Sequence, residues 1–125
     1  MTDLKRAAAA FWSQFGVPAY LTDCVPDDAV LPYITYSVSS SPAMGVALMT
    51  AFNYHRKVPS GNVDRTALAD EIASAIPENG VKLTLDSGGF VVLYRNSEFQ
   101  SDYQDPDDLD VIGVRTSAEV HFYTM

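Results

Sequence analysis

One long stretch near the C-terminus limits what this chain can fold into more than any other feature. Between Val111 and Tyr123, apolar or small residues at 112, 114, 116, 118, 120 and 122 alternate with mostly polar residues at 115, 117, 119, 121 and 123. Because successive side chains of a β-strand point to opposite faces, this pattern predicts a strand with one buried face and one wet face. Such a strand fits an antiparallel sheet that is covered on one side.

Two further strands are predicted in the first half of the chain. Pro32 to Ser39 and Met44 to Tyr54 are rich in β-branched and aromatic residues, and the turn residues Ser40, Ser41 and Pro42 lie between them. We expect them to pair as an antiparallel hairpin. Along the second strand one face is bulky and the other is small but still apolar. That pattern predicts helices on one face of the sheet and a neighbouring subunit on the other.

Two helices are predicted from the spacing of apolar residues. Asp3 to Phe15 is amphipathic and is followed by the stop signal Gly16-Val17-Pro18. The second helix runs from about Val63 to Ile76, with Leu68, Ile72, Ala75 and Ile76 on one side. The segment His55 to Asn62 before it contains Gly, Pro and basic residues, which predicts a loop.

A second hairpin is predicted for Val81 to Leu85 and Phe90 to Arg95, which flank a turn containing Gly88 and Gly89. Asn96 to Asp110 is polar throughout, which predicts a long loop. With the short extended piece Ala19 to Thr22, the element order is α-β-β-β-α-β-β-β. We therefore predict an α+β fold in which two helices pack on a mostly antiparallel sheet of about five or six strands.

The length and charge of the chain limit the kinds of protein that it can be. A chain of 125 residues, 47% of them hydrophobic, suits one domain spanning residues 1–125. Eight basic and sixteen acidic residues give a net charge of -8, which disfavours nucleic-acid binding. The longest apolar run, Val46 to Phe52, is too short to cross a membrane. No standard export signal is recognised, and the single cysteine, Cys24, fits a reducing compartment.

No residue pattern predicts catalysis, a metal or a cofactor. The stretch Asp105 to Asp110 holds four carboxylates in six residues, but their spacing does not match a calcium-binding loop. Cys24, His55 and His121 lie in no recognised catalytic signature. Gly88 and Gly89 belong to the predicted hairpin and do not open a phosphate-binding helix. We therefore expect a protein that is not an enzyme.

Two oppositely charged segments are candidate functional sites. The basic residues His55, Arg56, Lys57 and Arg65 form a candidate subunit interface. The candidate lumen or partner loop holds Glu98, Asp102, Tyr103, Asp105, Asp107, Asp108 and Asp110. Either both are solvated loops, or the basic loop of one copy meets an acidic surface of the next and closes a ring. Charge asymmetry alone does not separate these alternatives.

The N-terminal part of the chain resembles a known family. Phe11-Trp12, Val17 to Leu21, Pro26-Asp27-Asp28-Ala29 and Leu31 to Val38 follow one another in that order. This order resembles the tail-completion or tail-terminator proteins of long-tailed bacteriophages, in which an N-terminal helix and a D-D-A-x-x-P-Y-I-T-Y motif lead into the first long strand. The resemblance in element order covers nearly the whole chain. The resemblance in residue sequence is specific mainly between Phe11 and Val38.

The resemblance implies a structural virion protein with no reaction and no cofactor. Proteins of that family assemble into a ring, commonly of six subunits, on the head-proximal end of the tail tube. They stop tube growth and join the tail to the head. The implied partners are further copies of the chain, the tail tube protein and the head-tail connector, and the implied location is the virion, assembled in the host cytoplasm. DNA would pass through the ring, and Asn96 to Asp110 is the candidate for an acidic lining that repels phosphate.

Three alternatives remain at this point. Another neck or minor tail component would share the ring but not the terminating role. An acidic DNA-mimic inhibitor needs carboxylates spread over its surface, whereas here they concentrate in Asp23 to Asp28 and Glu98 to Asp110. An enzyme requires Cys24, His55 or His121 to converge in a pocket.

Overall fold

The computed structural model describes residues 2–41, 46–57 and 59–123. Within them, α1 (Thr2–Trp12) precedes β1 (Ala19–Leu21), β2 (Tyr33–Ser41) and β3 (Val46–Arg56), and α2 (Pro59–Ala75) precedes β4 (Val81–Thr84), β5 (Phe90–Gln104) and β6 (Val111–Tyr123). Short 3-10 turns follow α1 and β1, at Ser13–Phe15 and Thr22–Cys24. The predicted α+β class and element order are confirmed.

The strands form one sheet in the order β1-β2-β3-β6-β5-β4. β1 runs parallel to β2, and every other neighbouring pair is antiparallel. The predicted β2–β3 hairpin is confirmed, with Tyr33 opposite Tyr54 and Ser41 opposite Val46. Pro42 and Met44, which the sequence assigns to the turn and the second strand, lie outside the described residues.

Both helices pack on the same face of this sheet. From α1, Leu4, Ala8, Phe11 and Trp12 are buried, as the helical spacing predicts. The helix and its 3-10 extension end at Gly16, whose φ of 81° is the left-handed conformation that glycine adopts at low cost. No helix in the described part of the chain is long and apolar enough to span a membrane.

Helix α2 begins earlier than the sequence predicts. The predicted loop from His55 to Asn62 is wrong at both ends, because His55 and Arg56 continue β3 and Pro59–Asn62 form the first turn of α2. Proline suits this position because the first helical residues need no N–H donor and its fixed φ is already helical. The predicted buried side of α2 is confirmed, since Leu68, Ile72 and Ile76 are buried.

The other difference concerns β5, which continues through Asn96 to Gln104 where a long loop is predicted. The prediction of an Asn96 to Asp110 loop is therefore wrong, and the loop is confined to residues 105–110. Pairing with β6 supplies backbone hydrogen bonds that the polar composition of this segment does not reveal. β4 pairs only with the first part of β5, which leaves the later part as an edge where polar side chains are tolerated.

Candidate functional site

The sheet face opposite the helices, here called the open face, carries bulky side chains. The small face of β3 is buried beneath the helices through Ala47, Met49 and Ala51, while Leu48 on the other face is 44% exposed. Small residues let the helices approach the sheet closely, so the bulky set is left on the opposite side. Among the described residues no helix or strand covers the open face. The predicted division into a helix face and a bulky face is confirmed.

Five rings form an aromatic cluster at one end of the open face. They come from four strands that reach this end of the sheet: Tyr20, Tyr33, Phe52, Tyr54 and Tyr103. Neighbouring ring centroids are 5.8 Å apart for Tyr20 and Tyr33 and 5.4 Å for Tyr33 and Tyr54. Phe52 and Tyr103 are closest, at 4.8 Å. These distances are within the range of favourable aromatic pairs.

A bulge in β5 and a glycine in β6 allow Tyr103 to join the cluster. The pairing of β5 with β6 jumps from Arg95 opposite Ala118 to Gln100 opposite Thr116, which shifts the alternation of β5 by an odd number of residues. Tyr103 therefore lies on the open face. It pairs with Gly113, which pairs on its other side with Tyr54. Because Gly113 has no side chain, the rings of Tyr54 and Tyr103 meet across β6 with centroids 5.9 Å apart.

The acidic loop, residues 105–110, lies beside the aromatic cluster. Burial, followed by the negative charges of Asp105 and Asp107, raises the pKa of the Tyr103 phenol. A groove of about 320 Å³ separates the loop from the segment before β2, with Val30, Leu31 and Tyr33 on one side and Asp108 and Asp110 on the other. Of the candidate lumen or partner residues, Glu98, Asp102 and Tyr103 belong to β5 and not to this loop.

The four predicted basic residues do not form one exposed patch. Arg56 and Lys57 are exposed, but His55 is buried beneath α2. The Arg65 guanidinium donates hydrogen bonds to the carbonyl oxygens of Gly113 (3.2 Å) and Tyr103 (3.5 Å), and it lies 3.9 Å from a carboxylate oxygen of Asp102. Lys57 N–H donates to the carbonyl oxygen of Asp110 at 2.7 Å. The basic and acidic segments thus meet within one subunit, and an interface role for Arg56 and Lys57 stays a prediction.

The candidate catalytic residues are far apart. Cys24 is exposed in the 3-10 turn after β1. His55 lies near one end of β3, whereas His121 pairs with Val46 at the other end, so about 30 Å separates the two histidines along the sheet. Across residues 2–41, 46–57 and 59–123, no three His, Cys, Asp or Glu side chains come together in an arrangement that would hold a metal ion.

His55 predicts a pH dependence of stability. The residue is 5% exposed, its Nε2 has no hydrogen-bond partner among the described residues, and burial lowers its pKa below the ordinary value of 6.5. Asp64 opposes this shift and Arg65 adds to it. The unfolded chain therefore binds a proton more readily than the folded chain. We expect the stability that the neutral ring provides to be complete above pH 6.5 and to fall as pH drops below it.

Urea unfolding between about pH 7.5 and pH 5 measures this effect. His55→Gln is expected to flatten the pH dependence of the free energy of unfolding. His121→Gln is the matched control, because His121 is only half-buried and contacts Glu119 at 3.2 Å. A His55→Gln variant with the same pH dependence as the wild-type chain would show that His55 is not the responsible group.

Comparisons with protein-family models, with curated proteins and with solved structures found no match for this chain. The fold and the candidate site are therefore interpreted from the residues themselves. They define an α+β fold with helices on one face of the sheet, a bulky face that no described helix or strand covers on the other, and an acidic loop at one end.

Proposed function

We propose that this chain is a tail-completion protein: a structural subunit that forms a ring on the head-proximal end of a phage tail tube, ends tube growth and joins the tail to the head connector. The observation that carries the proposal is the open face, on which a lone subunit leaves Leu48 and Tyr123 exposed and the other large apolar and aromatic side chains only partly buried. The N-terminal resemblance supports the same conclusion, because its residues supply both the core under α1 and the first tyrosines of the aromatic cluster.

The size of the open face supports an interface. Six strands span about 24 Å between the outer pair, and β3 is about 36 Å long. Since the outer strands are shorter, the face covers roughly 800 Å², which is about what each partner contributes to a stable protein interface. Leu48, at 44% exposure, lies on a central strand of this surface and is the apolar residue that contact with a neighbour would desolvate.

The charge of the chain supports passage of DNA without binding. A net charge of -8 repels phosphates, and a ring of six such subunits would repel them more strongly. In this proposal the interfaces carry the activity, with the open face serving contact between subunits or with the tail tube.

Leu48→Lys tests the role of the open face. We expect the variant to fold normally, because Leu48 is exposed and its cross-strand neighbour Glu119 can pair with the new charge. Binding to tail tubes from a terminator-deficient lysate is expected to fall by about tenfold or more, since contact would remove the new ammonium group and Glu119 together from water. Co-sedimentation measures binding, and circular dichroism melting measures stability.

Val63→Lys is the matched control, because Val63 is an exposed apolar residue on α2, at 66% exposure, away from the open face. It is expected to bind tubes like the wild-type chain. Unimpaired co-sedimentation of a folded Leu48→Lys variant would rule out the open face as the surface that assembles.

A further inference from the structure

The two ends of the open face differ in chemistry. The aromatic cluster consists of four tyrosines and Phe52, whose rings combine flat apolar surface with polar hydroxyl groups. At the other end Leu48, Phe90 and Tyr123 are accompanied by a cation, since the Lys82 ammonium lies 4.4 Å from the centroid of the Phe90 ring. Tyrosine is among the residue types that are enriched at protein-binding surfaces.

The end with the aromatic cluster also carries negative charge that no basic side chain of the described residues neutralises in an ion pair, although backbone N–H groups donate to Asp105 and Asp108. Burial has the largest effect in raising the pKa of the Tyr54 and Tyr103 phenols. The charge of Asp105 has the next largest effect on the pKa of Tyr103 and the smallest of the contributions to that of Tyr54. In the described part of the chain, the ion pairs are Arg6 with Asp86, Arg65 with Asp102 and His121 with Glu119, so none reaches the loop 105–110. One basic side chain, Arg56, lines the adjoining groove.

We propose that the aromatic cluster and the acidic loop together bind an arginine-bearing segment of a partner protein. A guanidinium has flat faces that stack on tyrosine rings and a fork of N–H donors that pairs with a carboxylate. Tyr54 and Tyr103 supply the rings, and Asp105 and Asp107 supply the carboxylates beside them. The groove between Val30, Leu31 and Asp108 receives a neighbouring aliphatic side chain. This inference assigns the aromatic end of the open face to a partner protein and leaves the end around Leu48 for contact between subunits or with the tail tube. It does not depend on ring formation.

Charge also indicates that the occupant is a different protein and not a second copy meeting this surface symmetrically. A two-fold contact places identical surfaces together, so it would bring two copies of the loop 105–110 into contact. Each loop holds four aspartates and no basic residue, and like charges repel at that distance. A nucleic acid is disfavoured as the occupant because its phosphates would be repelled by the aspartates of the loop.

Titration of the labelled full-length chain with peptides tests the inference. Hexa-arginine and hexa-lysine would be added separately at an ionic strength of about 0.15 M, where long-range attraction to an acidic protein is screened. We expect amide chemical-shift changes confined to residues 30–33, 52–54 and 103–110. Hexa-arginine is expected to bind about threefold or more tighter than hexa-lysine, because only the guanidinium stacks as well as pairs.

Matched variants separate specific docking from overall charge. The triple variant Asp105→Asn, Asp107→Asn, Asp108→Asn is expected to weaken hexa-arginine binding by about fivefold or more. The control Asp70→Asn, Glu71→Gln, Glu78→Gln removes as many exposed charges from and after α2 and is expected to change binding by less than about twofold. Tyr103→Leu is expected to abolish the preference for arginine. Equal losses in both triple variants, shifts spread over the whole acidic surface, or no preference for arginine would each overturn the inference.

Discussion

Replacing Gly113 with alanine is expected to lower the free energy of unfolding by about 3 kcal/mol or more. A Cβ atom at this position would overlap the carbonyl oxygen of Asn53 in the adjacent strand β3. That oxygen belongs to the backbone, so it cannot rotate away as a side chain would. The Asn53 side chain is also fixed, because it is 1% exposed and its Oδ1 accepts a 2.8 Å hydrogen bond from Val114 N–H.

Urea denaturation followed by the fluorescence of the single tryptophan measures this loss. Gly88→Ala in the turn between β4 and β5 is the control, since a Cβ there meets nothing within 4 Å but the φ of 96° still disfavours alanine. Gly88→Ala is expected to lower the free energy of unfolding by about 1 to 2 kcal/mol. If Gly113→Ala lowers the free energy of unfolding no more than Gly88→Ala does, β3 and β6 do not approach as closely at Gly113 as described.

Replacing Trp12 with alanine is expected to lower the free energy of unfolding by about 3 to 5 kcal/mol. The side chain is fully buried, its ring lies edge-on to Phe11 with centroids 5.0 Å apart, and its Nε1–H donates to the Sδ of Met49 at 3.1 Å. Removing it leaves a cavity between α1 and the sheet. The same change leaves Met49 without its donor.

Because this variant lacks the only tryptophan, its unfolding is followed by far-ultraviolet circular dichroism. Phe15→Ala is the comparison, since Phe15 contacts the same rings but is only partly buried and is expected to cost less than Trp12→Ala. Equal costs for the two variants would contradict the placement of Trp12 at the centre of the core.

The sequence predicts those elements whose pattern is local. The alternation of β6 and the spacing of apolar residues in α1 are set by each segment's own side chains, so they are visible before any tertiary structure is known. The later part of β5 is different. Its strand conformation depends on pairing with β6, and its polar side chains are those of a sheet edge, which resemble the side chains of a loop.

The candidate site is only partly predictable for the same reason. The carboxylates of the acidic loop and Tyr103 are evident from the sequence, but the contact of Tyr103 with Phe52 depends on a strand order that places β6 between β3 and β5. It also depends on the bulge that turns Tyr103 to the open face. The sequence does indicate part of this site, because the alternation along β3 places Phe52 and Tyr54 on the face opposite the helix-covered residues.

The basic residues show how neighbours in sequence separate in the structure. His55 continues the buried alternation of Ala47, Met49 and Ala51, so it faces α2, while Arg56 turns to solvent. Arg65 is drawn into contacts with β5 and β6. Strand alternation therefore determines which charges can meet a partner, and sequence proximity alone does not.

Negative-stain electron microscopy with mass determination tests the proposed function most directly. The purified chain would be imaged alone and mixed with tail tubes from a terminator-deficient lysate. We expect rings, or caps on one end of tubes that no longer lengthen. Rings on tubes that keep growing would indicate another neck component instead of a terminator. Absence of rings together with bare tube ends would contradict the proposal that this chain completes a phage tail.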